Sequence, residues 1–283
     1  MAVLGIDLGT SNSALAYASQ AEPTARMLSI PQLVASSKCA ALPLLPSALY
    51  LAHSSDAGTL SVPWGSDAGT LDVAGQAATS SAEAQSFAVG EYARERAATA
   101  PDRVVLSAKS WLCNARVDRS AALLPWKSEI DAAKVSPVTA SQRYLEHLRL
   151  TFEQAKDKDP TLSTDSPLEV ILTVPASFDE VARSLTLQAA AQAGFTNVSL
   201  LEEPLAAFYA WISSREHNWR DQVQAGDLVL VIDVGGGTAD FSLVAVSDQQ
   251  GELRLDRISV GEHILLGGDN MDLALAMALR AQL

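Results

Sequence analysis

The strongest constraint on the fold is a pattern written twice, early and late in the chain. Val3-Leu4-Gly5-Ile6-Asp7 leads into the polar turn Leu8-Gly9-Thr10-Ser11-Asn12 and out through Ser13-Ala14-Leu15-Ala16-Tyr17-Ala18. Strand, tight turn and strand in that order predict a β-hairpin. Leu228-Val229-Leu230-Val231-Ile232-Asp233, then Val234-Gly235-Gly236-Gly237-Thr238, then Ala239-Asp240-Phe241-Ser242-Leu243-Val244 repeat the construction. Laying Ile6-Asp7-Leu8-Gly9-Thr10 over Ile232-Asp233-Val234-Gly235-Gly236 matches apolar, Asp, apolar, Gly and small residue at a single offset, a long-range internal repeat. Two similar lobes are predicted. Each presents an aspartate at a strand end followed by a glycine-bearing turn, and two such turns facing each other can hold a polyphosphate.

Between the hairpins, Glu169-Val170-Ile171-Leu172-Thr173-Val174-Pro175 reads as a short buried strand stopped by proline. A helix is predicted over about Asp179 to Ala193, with acidic residues at its start and Gly194 as its C-cap. A second is predicted over about Pro204 to Arg215, with Leu205, Phe208, Tyr209 and Ile212 on one face. Alternating strands and helices predict an α/β protein. At 283 residues and 48% hydrophobic content, the chain can build a large core or two lobes sharing a cleft. The stretch from Ser54 to Ser86 differs: it is rich in Ser, Gly, Ala and Thr, and Ser55-Asp56-Ala57-Gly58-Thr59-Leu60 recurs as Ser66-Asp67-Ala68-Gly69-Thr70-Leu71. An inserted hairpin or loop fits best. A calcium loop fits poorly, because two aspartates among small residues lack the dense acidic spacing such a loop needs.

Charge narrows the partners. With 20 basic against 33 acidic residues, the net charge is -13, which disfavours a broad grip on phosphodiester backbones and argues against nucleic acid. A nucleotide remains possible, because Mg²⁺ and backbone N–H groups neutralise phosphates locally. Cys39 and Cys113 are far apart and outside any CxxC pair, so ordinary reduced thiols are expected rather than a disulfide framework or zinc site. His53, His147, His217 and His263 are scattered and form no ligand spacing. No apolar run approaches the roughly 18 to 20 residues of a membrane span, and Met1-Ala2-Val3-Leu4-Gly5-Ile6-Asp7 has no basic leader segment. No membrane partner and a cytoplasmic location are expected.

A glycine turn alone says little, since any tight hairpin uses one. Two matched Asp-apolar-Gly turns say more. An aspartate at the end of a buried strand carries a desolvation cost unless donors or a cation satisfy it, which points to Mg²⁺ held directly or through water.

These residues resemble a known family, the actin-like ATPase superfamily and within it the 70-kDa heat-shock chaperones (the DnaK family). Gly5-Ile6-Asp7-Leu8-Gly9-Thr10-Ser11-Asn12-Ser13 is similar to that family's first phosphate motif, and Ile232-Asp233-Val234-Gly235-Gly236-Gly237-Thr238-Ala239-Asp240 to its second. Thr173-Val174-Pro175-Ala176-Ser177-Phe178 with Arg183, and Glu202-Glu203-Pro204-Leu205-Ala206-Ala207, resemble its connecting segments. Ser107-Ala108-Lys109-Ser110-Trp111-Leu112 stands where the family places a catalytic lysine, after Val89-Gly90-Glu91-Tyr92-Ala93. The resemblance implies an actin-like fold of duplicated ribonuclease H-like lobes. Lobe I would span 1–223, with a core of 1–37 and 137–223 and a peripheral subdomain of 38–136, and 224–283 would be an incomplete lobe II.

The resemblance also implies roles. Lys109 would orient the attacking water and offset charge on the γ-phosphate. Gly9, Thr10, Ser11 and Asn12 would hold phosphates, as would Gly235, Gly236, Gly237 and Thr238, with Ser11 keeping a hydroxyl where the family usually has threonine. Asp7, Asp233 and Glu203 would anchor Mg²⁺ mainly through water, and Asp233, Glu203 and Thr238 would assist catalysis. Asp240 would orient the second turn, and Gly267 and Gly268 would approach phosphate or turn sharply. Pro175 and Arg183 match residues that relay the nucleotide state between lobes. The cofactors implied are ATP or ADP with Mg²⁺, and the partners of the parent protein are peptide clients and co-chaperones. After Asn270, the run Met271, Leu273, Leu275, Met277, Leu279 is apolar over much of its helical surface and calls for further protein to cover it. A chain lacking the family's later adenosine-binding motif would lose binding energy for ATP. A nucleotide-gated actin-like scaffold, or a small-molecule kinase of the same superfamily, is the alternative reading.

Overall fold

The computed structural model describes residues 2–56, 60, 70–72, 84–126, 128–129, 134–162, 167–215, 219–249, 252–261, 264 and 266–282. Most of the Ser54 to Ser86 stretch lies outside the described residues, as do His217 and His263. Two compact units form: Met1–Leu172 with Glu180–Ser199, and Thr173–Asp179 with Leu200–Leu283.

The first unit opens with β1 (Ala2–Leu8), β2 (Asn12–Ser19), β3 (Arg26–Met27), β4 (Ile30–Ala35), β5 (Lys38–Leu42), β6 (Leu45–Pro46) and β7 (Ala48–Leu51). Then follow β8 (Thr70–Asp72), β9 (Ala84–Val89), α1 (Glu91–Arg96), β10 (Val104–Leu106), α2 (Ala108–Leu112), α3 (Pro137–Lys158), β11 (Leu168–Val174), α4 (Glu180–Gln192) and β12 (Val198–Glu202). The main sheet has the order β12-β11-β1-β2-β3, with β6 also on β2. β1 pairs antiparallel with β2, Leu8 facing Ser13, and parallel with β11, Ala2 facing Leu168.

Period-two alternation in β1 buries Ala2, Leu4, Ile6 and Leu8 together and leaves Val3, Gly5 and Asp7 on the opposite face. α3 packs by its Tyr144, Leu145, Leu148 and Phe152 side, and the Phe152 ring lies 5.7 Å from Tyr17 of β2. Ser136 caps α3, accepting from the Thr139 N–H over 3.0 Å. Gly194, at φ +92, ends the α4 segment as a residue without a Cβ must. A smaller sheet, β10-β7-β9-β8, closes over Ala48, Tyr50, Ala88, Ala93 and Val104.

The second unit holds α5 (Glu203–Ser214), β13 (Leu228–Val234), β14 (Ala239–Gln249), β15 (Glu252–Val260) and α6 (Gly268–Arg280). β13, β14 and β15 form an antiparallel meander. α5 lies on it through Phe208, which joins Val244 and Val246 in a small core lined by Leu205, Trp211, Ile212, Val229 and Val231. The predicted face of α5 is corrected at one position: Tyr209 is 50% exposed, and Trp211, its ring 5.7 Å from Phe208, takes the place expected for it. A β-strand beneath the helix selects the side carrying 208, 211 and 212 rather than 209.

Candidate functional site

The first glycine turn, Gly9 to Asn12, is tight enough that side-chain size decides it. A Cβ on Gly9 would stand 2.1 Å from the Asn12 carbonyl oxygen, so only glycine fits. The carbonyls of this turn are tied inward. Ser47 Oγ donates to the Gly9 carbonyl over 2.7 Å, and the Ser47 N–H donates to the Ser11 carbonyl over 2.9 Å. In a trans peptide N–H and C=O point in opposite directions, so the Thr10 N–H faces away from Ser47. Ser11 is exposed, and Asn12 opens β2 opposite Pro46.

The second turn repeats the arrangement with a different support. Gly235 N–H to Thr238 carbonyl, 2.8 Å, closes it, and the first turn of α6 holds it from behind. Gly268 N–H donates to the Gly235 carbonyl over 3.0 Å and Asp269 N–H to the Gly236 carbonyl over 2.8 Å. The N–H groups of Gly236 and Gly237 are therefore directed to the side opposite α6, the arrangement of a backbone anion cradle. Asn270 Oδ1 accepts from the Gly267 N–H over 3.0 Å and caps α6. A Cβ on Gly267 would meet the Gly236 and Gly235 carbonyl oxygens at 2.5 and 2.6 Å. Gly267 and Gly268 thus lie against the backbone of the glycine turn itself.

The acidic residues differ in setting. Asp7 is exposed, so the desolvation expected for it does not occur in the first unit, and Asp233 is half-buried. Asp240, 5% exposed, sits directly opposite Asp233 in the β13–β14 register, so the two side chains share a face of the sheet. That face is the one that packs under α5, since Val229 and Val231 alternate with exposed neighbours and join the Phe208 core. Glu203 is the first residue of α5 and half-buried. Its neighbour Glu202 is held in a two-pronged pair by the Arg257 guanidinium from β15, an anchor with no sequence signal, because the partners lie 55 residues apart. Among the described residues no group of three or more His, Cys, Asp or Glu side chains is gathered around a metal position.

Lys109 lies on α2 and is only 7% exposed, a placement that lysine adopts when something engages its ammonium. The helix starts from Ser107, whose φ of 55 is left-handed and turns the chain sharply into it. Pro175 is buried just past β11, its carbonyl accepting from Phe178 N–H over 3.1 Å, and Arg183 is half-buried on α4. Cys39 and Cys113 are thiols, not joined in a disulfide. Asp56, in the first copy of the small repeat, accepts from the Tyr50 hydroxyl over 2.5 Å and from the His53 N–H over 3.1 Å. No described helix is long and apolar enough to cross a membrane.

A family model described as Hsp70 protein matches residues 78–283. That stretch contains Lys109, Pro175, Arg183, Glu203, the second glycine turn and Gly267, and begins after the first turn. The chain is 28% identical over 209 residues to the chaperone protein DnaK of Psychrobacter cryohalolentis, a match covering 69% of this chain and 30% of that protein. It is 31% identical over 212 residues to an HscA homolog, also named a chaperone protein, of Pseudoalteromonas atlantica, covering 71% of this chain and 31% of the relative. Against the HscA homolog of Burkholderia lata the identity is 32% over 205 residues, covering 69% and 30%. The matched stretch thus spans less than a third of the length of these relatives. Two strand-turn-strand units in an α/β frame, with this match over most of the chain, identify the actin-like ATPase fold and place the chain in the Hsp70 protein family.

Proposed function

We propose that this chain is the nucleotide-binding part of a DnaK-like molecular chaperone, binding ATP or ADP with Mg²⁺ and hydrolysing ATP. The observation that carries the reading is the pair of glycine turns whose carbonyls are tied back, so that Thr10, Gly236 and Gly237 direct their N–H groups away from the supporting elements. Turns of this kind bind phosphate through oriented backbone dipoles without a basic surface, which suits a chain of net charge -13. The residues present fit the cofactor: Gly9 leaves no room for a side chain in the first turn, and Asp233 and Asp240 bring two carboxyl groups to one face of the β13–β14 pair beside the second turn.

When bound, Mg-ATP supplies the phosphoanhydride and a cation that offsets its charge. Gly9, Thr10, Ser11 and Asn12 hold phosphates in the first unit, and Gly235, Gly236, Gly237 and Thr238 do so in the second. Asp7, Asp233 and Glu203 would be the residues that hold Mg²⁺, mainly through its waters. Lys109, kept from bulk solvent on α2, orients a water and stabilises charge that develops during phosphoryl transfer. Pro175 and Arg183 carry the nucleotide state outward. Residues 1–223 are assigned to one lobe and 224–283 to the next, with α5 at the end of the first lobe packed on β13 and β14. Peptide clients and co-chaperones are the partners of the parent protein, and its compartment is the cytoplasm.

Single-turnover hydrolysis tests this directly. Wild type is expected to release phosphate from Mg-ATP, and Lys109→Ala to do so on the order of 100-fold more slowly while keeping its affinity for Mg-ADP. Equal rates would remove the lysine from the catalytic account.

A further inference from the structure

Ser47 stands outside every motif quoted above, yet two carbonyls of the first glycine turn end on it. It follows β6, is 3% exposed, and belongs to the first unit with the turn it touches. Its hydroxyl donates to the Gly9 carbonyl over 2.7 Å, its N–H donates to the Ser11 carbonyl over 2.9 Å, and its Oγ is 3.0 Å from the buried Ser13 Oγ. A serine hydroxyl has one proton. With that proton directed at Gly9, Ser13 becomes the donor to Ser47, and a chain runs from Ser13 through Ser47 to the Gly9 carbonyl. Two other buried hydroxyls of this unit do something simpler: Thr151 Oγ1 donates to the His147 carbonyl and Thr186 Oγ1 to the Ala182 carbonyl, each one helical turn back on its own helix. Ser47 instead clamps a turn 38 residues away in sequence, at the carbonyls flanking Thr10.

We infer that Ser47 is a positioning residue that sets the first glycine turn in its phosphate-receiving form before any nucleotide arrives. Holding the Gly9 carbonyl inward fixes the direction of the Thr10 N–H, and a donor fixed in advance costs no reorganisation on binding. The identity of the ligand rests on the nucleotide reading above; the tie itself rests on the geometry of the first unit alone.

Two measurements on the full chain separate these parts. Calorimetry with Mg-ADP is expected to give about tenfold weaker binding for Ser47→Ala than for wild type, the size of one lost buried hydrogen bond transmitted to the ligand. Thr151→Val, which also removes a buried hydroxyl, is expected to stay within about twofold of wild type. Deuterium uptake over the β1–β2 hairpin of the nucleotide-free protein is expected to rise in Ser47→Ala and to stay at the wild-type level in Thr151→Val. Should Ser47→Ala fail to fold, Ser47→Cys keeps a weak donor of similar shape and is expected to shift both readouts in the same direction by less. Wild-type affinity together with wild-type uptake in the Ser47 variants would overturn the assignment. If wild type takes up no Mg-ADP, the nucleotide reading falls, and the uptake comparison alone decides the tie: raised uptake sustains it and unchanged uptake rejects it.

Discussion

A single methyl group distinguishes the two glycines that precede and open α6. Added at Gly267, it would press on the Gly235 and Gly236 carbonyl oxygens, which are backbone atoms and cannot swing aside, whereas at Gly268 the nearest atom is 3.7 Å away. Gly267→Ala is therefore expected to break the ties from α6 to the glycine turn and to lower stability by about 1–3 kcal/mol in urea denaturation. Gly268→Ala is expected to change it by less than about 1 kcal/mol, since alanine suits a helix better than glycine. Equal losses would contradict the contact. At the residue scale, candidates stood out in the sequence only where a motif carried them. Gly9, Asp7, Asp233 and Lys109 stood out from their neighbours in sequence, but Ser47, Asn270 and Arg257 did not, because their roles are set by carbonyls and carboxylates that only the folded chain brings within reach.

Within the elements, hydrophobic period carried most of the information. The period-two runs of β1 and β13, the proline after β11 and the glycine after α4 mark boundaries that the folded chain keeps within a residue or two. Helix faces were less legible: spacing alone left 209 and 211 as rival positions on α5, and contact with β13 chose Trp211. Phe208→Ala is accordingly expected to cost about 3–5 kcal/mol and Tyr209→Ala less than about 1 kcal/mol, read from denaturation midpoints. On α3, His147 is buried and its Nε2 lies 2.9 Å from the Pro31 carbonyl of β4. Burial pushes this imidazole down to about 4, opposed only in part by the Pro31 carbonyl, which favours a bound proton. The unfolded chain takes up the proton first, near the ordinary value of about 6.5. The contribution of His147 is therefore intact above that pH and is lost as pH falls toward about 4, by about 3 kcal/mol in all. Urea midpoints measured at pH 7 and pH 4.5 should converge more closely in His147→Gln than in wild type.

At the scale of the molecule, the duplicated hairpin announced two related units, and its strands recur as β1–β2 and β13–β14 with the same antiparallel pairing. Composition could not announce how the Ser54 to Ser86 stretch is used, because small residues without an apolar period specify no partner. Ligand linkage tests the whole assembly at once: Mg-ADP at about 100 times its dissociation constant is expected to add about 2.7 kcal/mol to stability, seen as a raised melting temperature that excess EDTA lowers again. The second glycine turn also anchors α6. Its 13 residues make a rod about 20 Å long, with no buried residue of its own and hydrogen bonds to the glycine turn only at its first turn. Through those ties, a rotation of about 10° at Gly235 and Gly236 would carry the Arg280 end of α6 through about 3 Å, so a small rearrangement of the glycine turn becomes a larger displacement of the helix it anchors.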